Sequence, residues 1–285
     1  MSEILTRTRA WVLDVDGCLM QTARAGGAGG RAMPRAGEFV AALRGAGHQV
    51  VLCTNASQQP PGRYAAHLRQ HGIDIDDADV VTAGSAAADF IAAHHDGARV
   101  LAIGDAGIVE PLRAHGVDLL DPATDSPPAD VVVVAAADDY TTTVINAGCL
   151  AVDAGAPLYT TVASPWFHGG LGKSVAVSTA MAHAIGWVTR TEPTVLGKPS
   201  PQLGQTLIRR FGIDPSQIAV VGDAAAEIDL ARAVGAGSVL VLSGATDETA
   251  LGALPEGRRP DVVATDVAEL LDLLTPHLAT QGARA

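Results

Sequence analysis

The sequence predicts an α/β fold: a parallel-sheet core split by an inserted α/β unit. Three observations predict it. Short Val/Leu/Ile-rich runs alternate with Ala-rich helical stretches along the chain, the pattern of parallel strands joined by crossover helices. Polar groups follow several of the apolar runs directly, where open α/β sheets place their binding crevices. The middle third repeats the alternation often enough to build a sheet of its own.

Taken in order, residues 11–15 read as a strand ending in Asp14-Val15-Asp16-Gly17. A glycine-rich loop follows, then a helix over 37–45 and a second strand over 49–53 that stops at Thr54-Asn55. Pro60-Pro61 breaks the chain before a helix over 63–71. The middle segment offers strands at 99–103, 130–135 and 157–161, with helices at 85–95, 108–115 and 142–154. The last third resumes the main sheet: helix 200–211, strand 218–221, helix 227–234, strand 238–242 and a closing helix 267–274, before a disordered-looking tail at 281–285. The expected division is a core at 1–81, an inserted unit at 82–188 and the rest of the core at 189–285.

Composition narrows the function classes. The 285 residues carry a net charge of −12, which argues against nucleic acid, whose phosphates are held by clustered Lys and Arg. The longest plain apolar run, 131–137, is far too short to span a bilayer. Residues 1–11 lack the apolar stretch of a signal peptide, so the expectation is a soluble cytoplasmic protein. Cys18, Cys53 and Cys149 are odd in number and widely spaced, which suits neither a disulfide framework nor a metal knuckle. They read as buried small side chains.

The chemistry begins with Asp14 and Asp16. Side chains at i and i+2 of a strand share a face, and Gly17 lets the backbone turn just after them. Two carboxylates held together need a cation or a shared proton. Magnesium suits them, as a hard cation taking one or two carboxylates plus phosphate and water oxygens; a solvated turn is the plainer reading of this motif alone. Thr54 and Asn55 place a hydroxyl and an amide after the second strand, where both can donate to phosphate oxygens. Gly197-Lys198-Pro199 precedes a helix, and Lys198 can neutralise phosphate charge. Asp223 ends a third strand, with Glu227 one helical turn on, so both can face a metal directly or through its water shell. Singly these are a cap, a surface charge and an N-cap; together they form a pattern.

The ordered set DVDG, LCTNAS, GKPSP and VVGDAAAEIDLARAVGAG resembles the haloacid dehalogenase-like (HAD) superfamily over nearly the whole chain. The resemblance implies a Rossmann-like core with a cap domain and a phosphatase that works through an aspartyl-phosphate. It implies Asp14 as nucleophile, Asp16 as general acid and then base, and Thr54 and Lys198 on the phosphoryl oxygens. Magnesium would be held by Asp14, the Asp16 backbone carbonyl and Asp223, with Glu227 in support. Only 37 residues separate Asp16 from Thr54, while 143 separate Thr54 from Lys198, so the cap lies in the second gap. That position looks like subclass IIA, the NagD-type and 4-nitrophenylphosphatase-like enzymes, which act on small phosphomonoesters of sugars, polyols or glycolate; a homo-oligomer through the cap is also compatible. A phosphotransferase or mutase on the same scaffold, or a catalytically silent binding protein, is the competing reading. Departures from the family pattern are Cys18 after DxDG and Glu227 where many relatives carry Asp.

Three further segments invite a reading. The run from His168 to Ser174 imitates a phosphate loop, yet Phe167 stands where that pattern needs glycine. Residues 164–168, Ser-Pro-Trp-Phe-His, place two adjacent aromatics where they either touch the leaving group or anchor the hinge. The glycine-rich loop at 20–34 carries Arg24 and Arg31, with Arg35 just after; it is either a spacer or a basic flap for a second anionic group on the substrate.

Overall fold

The computed structural model describes residues 3–22, 30–123, 128–169 and 172–278. Two parallel sheets organise them. The first has six strands in the order Val262–Ala264, Gly237–Val241, Ile218–Gly222, Ala10–Leu13, Gln49–Thr54 and Val80–Thr82, parallel at every junction. Ala10–Leu13 lies at the point where the chain order reverses. That is the switch point at which such sheets open a crevice beyond their carboxyl ends.

Helices on both faces account for the unbroken apolar reading of this strand. Trp11 and Leu13 pack on one side with Phe39, Leu43, Leu68 and Leu271. Ala10 and Val12 turn to the other, against Leu207, Phe211 and Leu230. The alternation is the period-two geometry of a strand. Helix ends follow their sequence signals. Thr82 accepts from the Ser85 amide at 3.0 Å, and Ser85 Oγ accepts from the Thr82 amide at 3.1 Å, a reciprocal cap on Ala83–His94. Gly212 and Gly235 close Pro201–Phe211 and Ala225–Val234 at φ 65° and 77°.

The second sheet has five strands, Thr194–Val195, Leu158–Thr160, Val131–Val134, Arg99–Ile103 and Asp118–Leu119, again all parallel. Val131–Val134 is wholly buried at its centre. The edge strand Thr194–Val195 belongs to this sheet, although a boundary at 188 assigns it to the core. A two-stranded hairpin, Trp166–Gly169 with Gly172–Val175, projects from the unit ahead of the helix Val177–Thr189. Among the described residues no helix is long and apolar enough to cross a membrane. The tail at 281–285, and Arg24 with the glycines around it, lie outside the described residues.

Candidate active site

Three adjacent strands deliver the site. Asp14 follows Ala10–Leu13, Thr54 ends Gln49–Thr54 and Asp223 follows Ile218–Gly222, all at carboxyl ends. Lys198 enters just before the helix Pro201–Phe211. Asp14, Asp16, Asn55, Lys198, Asp223 and Glu227 all line one cavity of about 280 Å³ between the two sheets' loops.

At its floor Lys198 is nearly inaccessible, with 2% of its side chain exposed. Its Nζ donates to Asp14 Oδ1 and to the Cys53 carbonyl at 2.8 Å, and lies 2.9 Å from Glu227 Oε1. Asn55 fixes the lysine backbone from both sides: Oδ1 accepts from the Lys198 amide at 2.8 Å, and Nδ2 donates to the Lys198 carbonyl at 3.2 Å. Asp16 is gripped by two hydroxyls, Thr22 on Oδ1 and Thr54 on Oδ2, the latter at 3.0 Å. Asp223 Oδ2 accepts from the Ala245 amide at 2.6 Å. Room for this carboxylate requires glycine on both sides. A Cβ on Gly17, at φ 85°, would stand 2.2 Å from Asp223 Oδ2, and one on Gly244 would stand 1.9 Å from it.

The electrostatics follow from four carboxylates gathered around one ammonium. Burial drives the Asp14 carboxyl well above the usual carboxylate range; Lys198 opposes this, while Glu227, Asp223 and Asp16 add to it. Asp223 is pushed up to about 7, by burial first and then by Glu227. Burial also works against the Lys198 charge, but Asp14 and Glu227 outweigh it and hold the ammonium protonated, above its ordinary value. Among the described residues no three His, Cys, Asp or Glu side chains close around a single point to enclose a metal unaided. Asp14, Asp16 and Asp223 share the cavity as oxygen donors short of positive charge. That arrangement suits a hard divalent cation, which keeps several waters and takes few protein ligands.

Two predicted residues have partners that the sequence did not indicate. Thr54 is 1% exposed and engaged with Asp16 and the Ala56 amide, so its hydroxyl orients Asp16 and does not line the cavity. Glu227 faces Lys198, accepts from the Ala224 amide at the start of its own helix at 3.2 Å, and lines the same cavity as Asp14 and Asp223. Sequence reasoning missed Thr22 and the loop Ser243-Gly244-Ala245. That loop follows the strand Gly237–Val241, and Ser243 Oγ donates to the Gly17 carbonyl at 2.7 Å. A hydroxyl and a glycine directly after an apolar run were the available signal.

The cysteines are free thiols. Cys18 and Cys53 are buried, and burial pushes both thiols up, Cys53 to about 12, which leaves them unreactive; Cys149 is half-buried. Trp166 and Phe167 line the cavity. Of the loop arginines, Arg31 donates to Gln21 at 2.8 Å, and Arg35 pairs with Glu38 and Asp272, both at 2.7 Å.

Comparison with known proteins bears on the family and the fold. The model described as haloacid dehalogenase-like hydrolase matches residues 11–118, and one described as HAD-hydrolase-like matches 195–270. An acid sugar phosphatase of Staphylococcus saprophyticus is 28% identical over 75% of this chain and 78% of its own length. The fold superposes on a 4-nitrophenylphosphatase from Thermotoga maritima with TM-score 0.83 at 24% identity, covering 96% of this chain and all of that one. A glycerol phosphate phosphatase from Mycobacterium tuberculosis, in complex with magnesium, gives TM-score 0.83 at 25% identity, over 95% and 78% of the two chains.

Proposed function

Because the chain belongs to the haloacid dehalogenase-like hydrolases, we propose that it is a magnesium-dependent phosphatase that cleaves small phosphomonoesters through an aspartyl-phosphate on Asp14. One observation carries the proposal: a buried carboxylate, Asp14, is held by a buried ammonium, Lys198, at the floor of a cavity lined also by Asp16 and Asp223. A buried lysine at such a place serves an incoming anion better than it serves stability, since a buried ion pair contributes little net stability.

The steps follow from the residues. Lys198 neutralises phosphoryl oxygens so that the Asp14 carboxylate can approach phosphorus. Asp14 Oδ forms the new P–O bond as the bond to the leaving oxygen breaks, and Asp16 gives that oxygen a proton. Asp16, then a carboxylate, takes a proton from water, whose oxygen attacks phosphorus and frees Asp14. The hydroxyls of Thr22 and Thr54 keep Asp16 aimed through both transfers. Asp14, Asp16 and Asp223 would hold magnesium, which supplies further positive charge against the phosphoryl oxygens when bound.

The test is phosphate release from a small panel of phosphomonoesters, in EDTA and with magnesium restored, together with mass spectrometry of acid-quenched enzyme. Magnesium-dependent release and a phosphate adduct on the peptide carrying Asp14 are expected. Full activity in EDTA, or an adduct elsewhere, refutes the proposal.

A further inference from the structure

The floor of the cavity is acidic and polar, but its roof is not. Val162, Trp166, Phe167, Val175 and Val177 of the second unit face the same space as Asp14 and Lys198. Trp166, Val175 and Val177 are 42%, 46% and 43% exposed, three of only seven large apolar side chains so open among the described residues. Their concentration on one cavity marks a contact surface, because isolated exposed apolar residues are ordinary and clustered ones are not.

Most polar groups near the roof are already occupied, Ser178 being the exception. Gln58 Nε2 donates to Asp138 at 2.6 Å and to Asp105 at 3.3 Å. Ser57 shares a hydrogen bond with Thr161 and accepts from the Ala136 amide, both at 3.0 Å. Ser164 Oγ donates to the Trp166 carbonyl at 2.8 Å. Among the described residues Lys198 is the one cationic side chain lining the cavity, and Asp14, Glu227 and the Cys53 carbonyl already surround it. Arg31 and Arg35, which a basic flap would use, are held by Gln21, Glu38 and Asp272.

Resting on the phosphatase reading, we infer that the site selects phosphomonoesters whose leaving group is small, uncharged and apolar or aromatic, and discriminates against esters carrying a second anion. A carboxylate on the leaving group would lose its water against valines and aromatics, and among the described residues no cation other than the already surrounded Lys198 lines the cavity to replace it. It would also meet the excess of acidic groups on the floor. An aromatic ring would instead lie against Trp166 and Phe167 and gain stacking as well as burial. The volume, about 280 Å³, is below the roughly 300–1,000 Å³ of drug-sized sites. It therefore favours a single ring or short chain.

The matched probes are phenyl phosphate and 4-carboxyphenyl phosphate, which share a ring and differ by one carboxylate. The wild-type enzyme is expected to favour phenyl phosphate by at least about tenfold in kcat/KM, the cost of one ill-solvated polar group. Trp166→Ala is expected to raise KM for phenyl phosphate about three- to tenfold while leaving ethyl phosphate within about twofold, the range of one aromatic contact. Equal or better turnover of the carboxylate ester overturns the inference but leaves the phosphatase reading standing. A Trp166→Ala loss equal on phenyl and ethyl phosphate also overturns it. If that variant does not fold, the wild-type ratio decides alone. Hydrolysis of none of the three esters refutes the parent reading and this inference with it.

Discussion

Replacement of Lys198 by Met tests the centre of the site most directly, because it removes a charge and keeps most of the volume. Lys198 and its partners are almost dry, with 2% of the lysine, 7% of Asp14 and 5% of Glu227 side chains exposed. At 2.9 Å, the Glu227 separation, unit charges attract by about 6 kcal/mol gross at an effective dielectric near 20. Much of that is offset by desolvation in the intact pair, but removing one partner leaves the other buried and unpaired, at a net cost of about 3–5 kcal/mol. At about 2–4 °C per kcal/mol for chains of this size, the apparent Tm in EDTA at pH 8 falls by on the order of 10 °C. The sign with pH is fixed by Asp14. Its folded-state pKa is raised, and the variant loses the group that lowers it. The variant's native state therefore keeps the Asp14 proton to higher pH than the wild type's, so the deficit grows as pH rises past the wild type's own raised Asp14 value and shrinks in acid. Melting curves by circular dichroism at pH 5 and pH 8 read both effects, and kcat is expected to drop by roughly 10²–10³ or more. A Lys198→Met protein melting within about 2 °C of wild type at pH 8 in EDTA would refute the reading of Lys198 as the counter-charge.

Asp14→Asn keeps the shape and loses the nucleophile, so turnover falls by roughly 10⁴ or more with an unchanged circular dichroism spectrum; substantial phosphate release by folded variant sinks the assignment. Gly17→Ala puts a methyl 2.2 Å from Asp223 Oδ2 at a positive φ, and is expected to weaken magnesium activation strongly; an unaltered magnesium titration contradicts the geometry. Ser57→Ala strips a buried hydroxyl that ties Thr161 and the Ala136 amide to the loop after Thr54, costing about 1–3 kcal/mol in thermal unfolding; an unchanged melt argues that water replaces it. Asp223, pushed up to about 7 when folded, makes metal-free protein lose stability as pH rises from about 4 to 7. Magnesium is accordingly expected to raise Tm more at pH 8 than at pH 5.5, and an equal rise at both argues against Asp223 as a ligand.

What was legible in the sequence had a local cause. Asp14 and Asp223 stand directly after runs of four and five buried residues, with Asp16 two positions past Asp14, and a polar group ending such a run must sit at a strand end. Three strands escaped because two or three residues are too short to show a period: Val80–Thr82, Val262–Ala264 and Thr194–Val195 have pairing partners but no pattern. The last of these carries the second sheet past residue 188, which no local signal announces. The hairpin of Trp166–Gly169 and Gly172–Val175 escaped for another reason. Its apolar residues face a cavity, so their sequence lacks the alternation that burial against a core imposes.

Roles were harder to read than positions, and Thr54 and Glu227 show why. A strand places Thr54 beside the site, but its hydroxyl has two candidate targets, a bound phosphate or the neighbouring carboxylate. In the structure it lies 3.0 Å from Asp16 Oδ2, a partner that no spacing in the sequence indicates. Glu227 lies four residues after Asp223, and helical spacing would put the two on one face. The helix begins at Ala225, however, so Glu227 is its third residue and reaches back to the Ala224 amide, the usual reach of an acid in a first turn. From there its other oxygen meets Lys198, which arrives from a segment separated by the whole of the strand Ile218–Gly222 and the helix before it. Residue spacing thus assigns which groups meet only while they share one element. Once the partner comes from elsewhere in the chain, as Lys198 does for Asp14 and Ala245 does for Asp223, the pairing is a property of the sheet order and has no local trace.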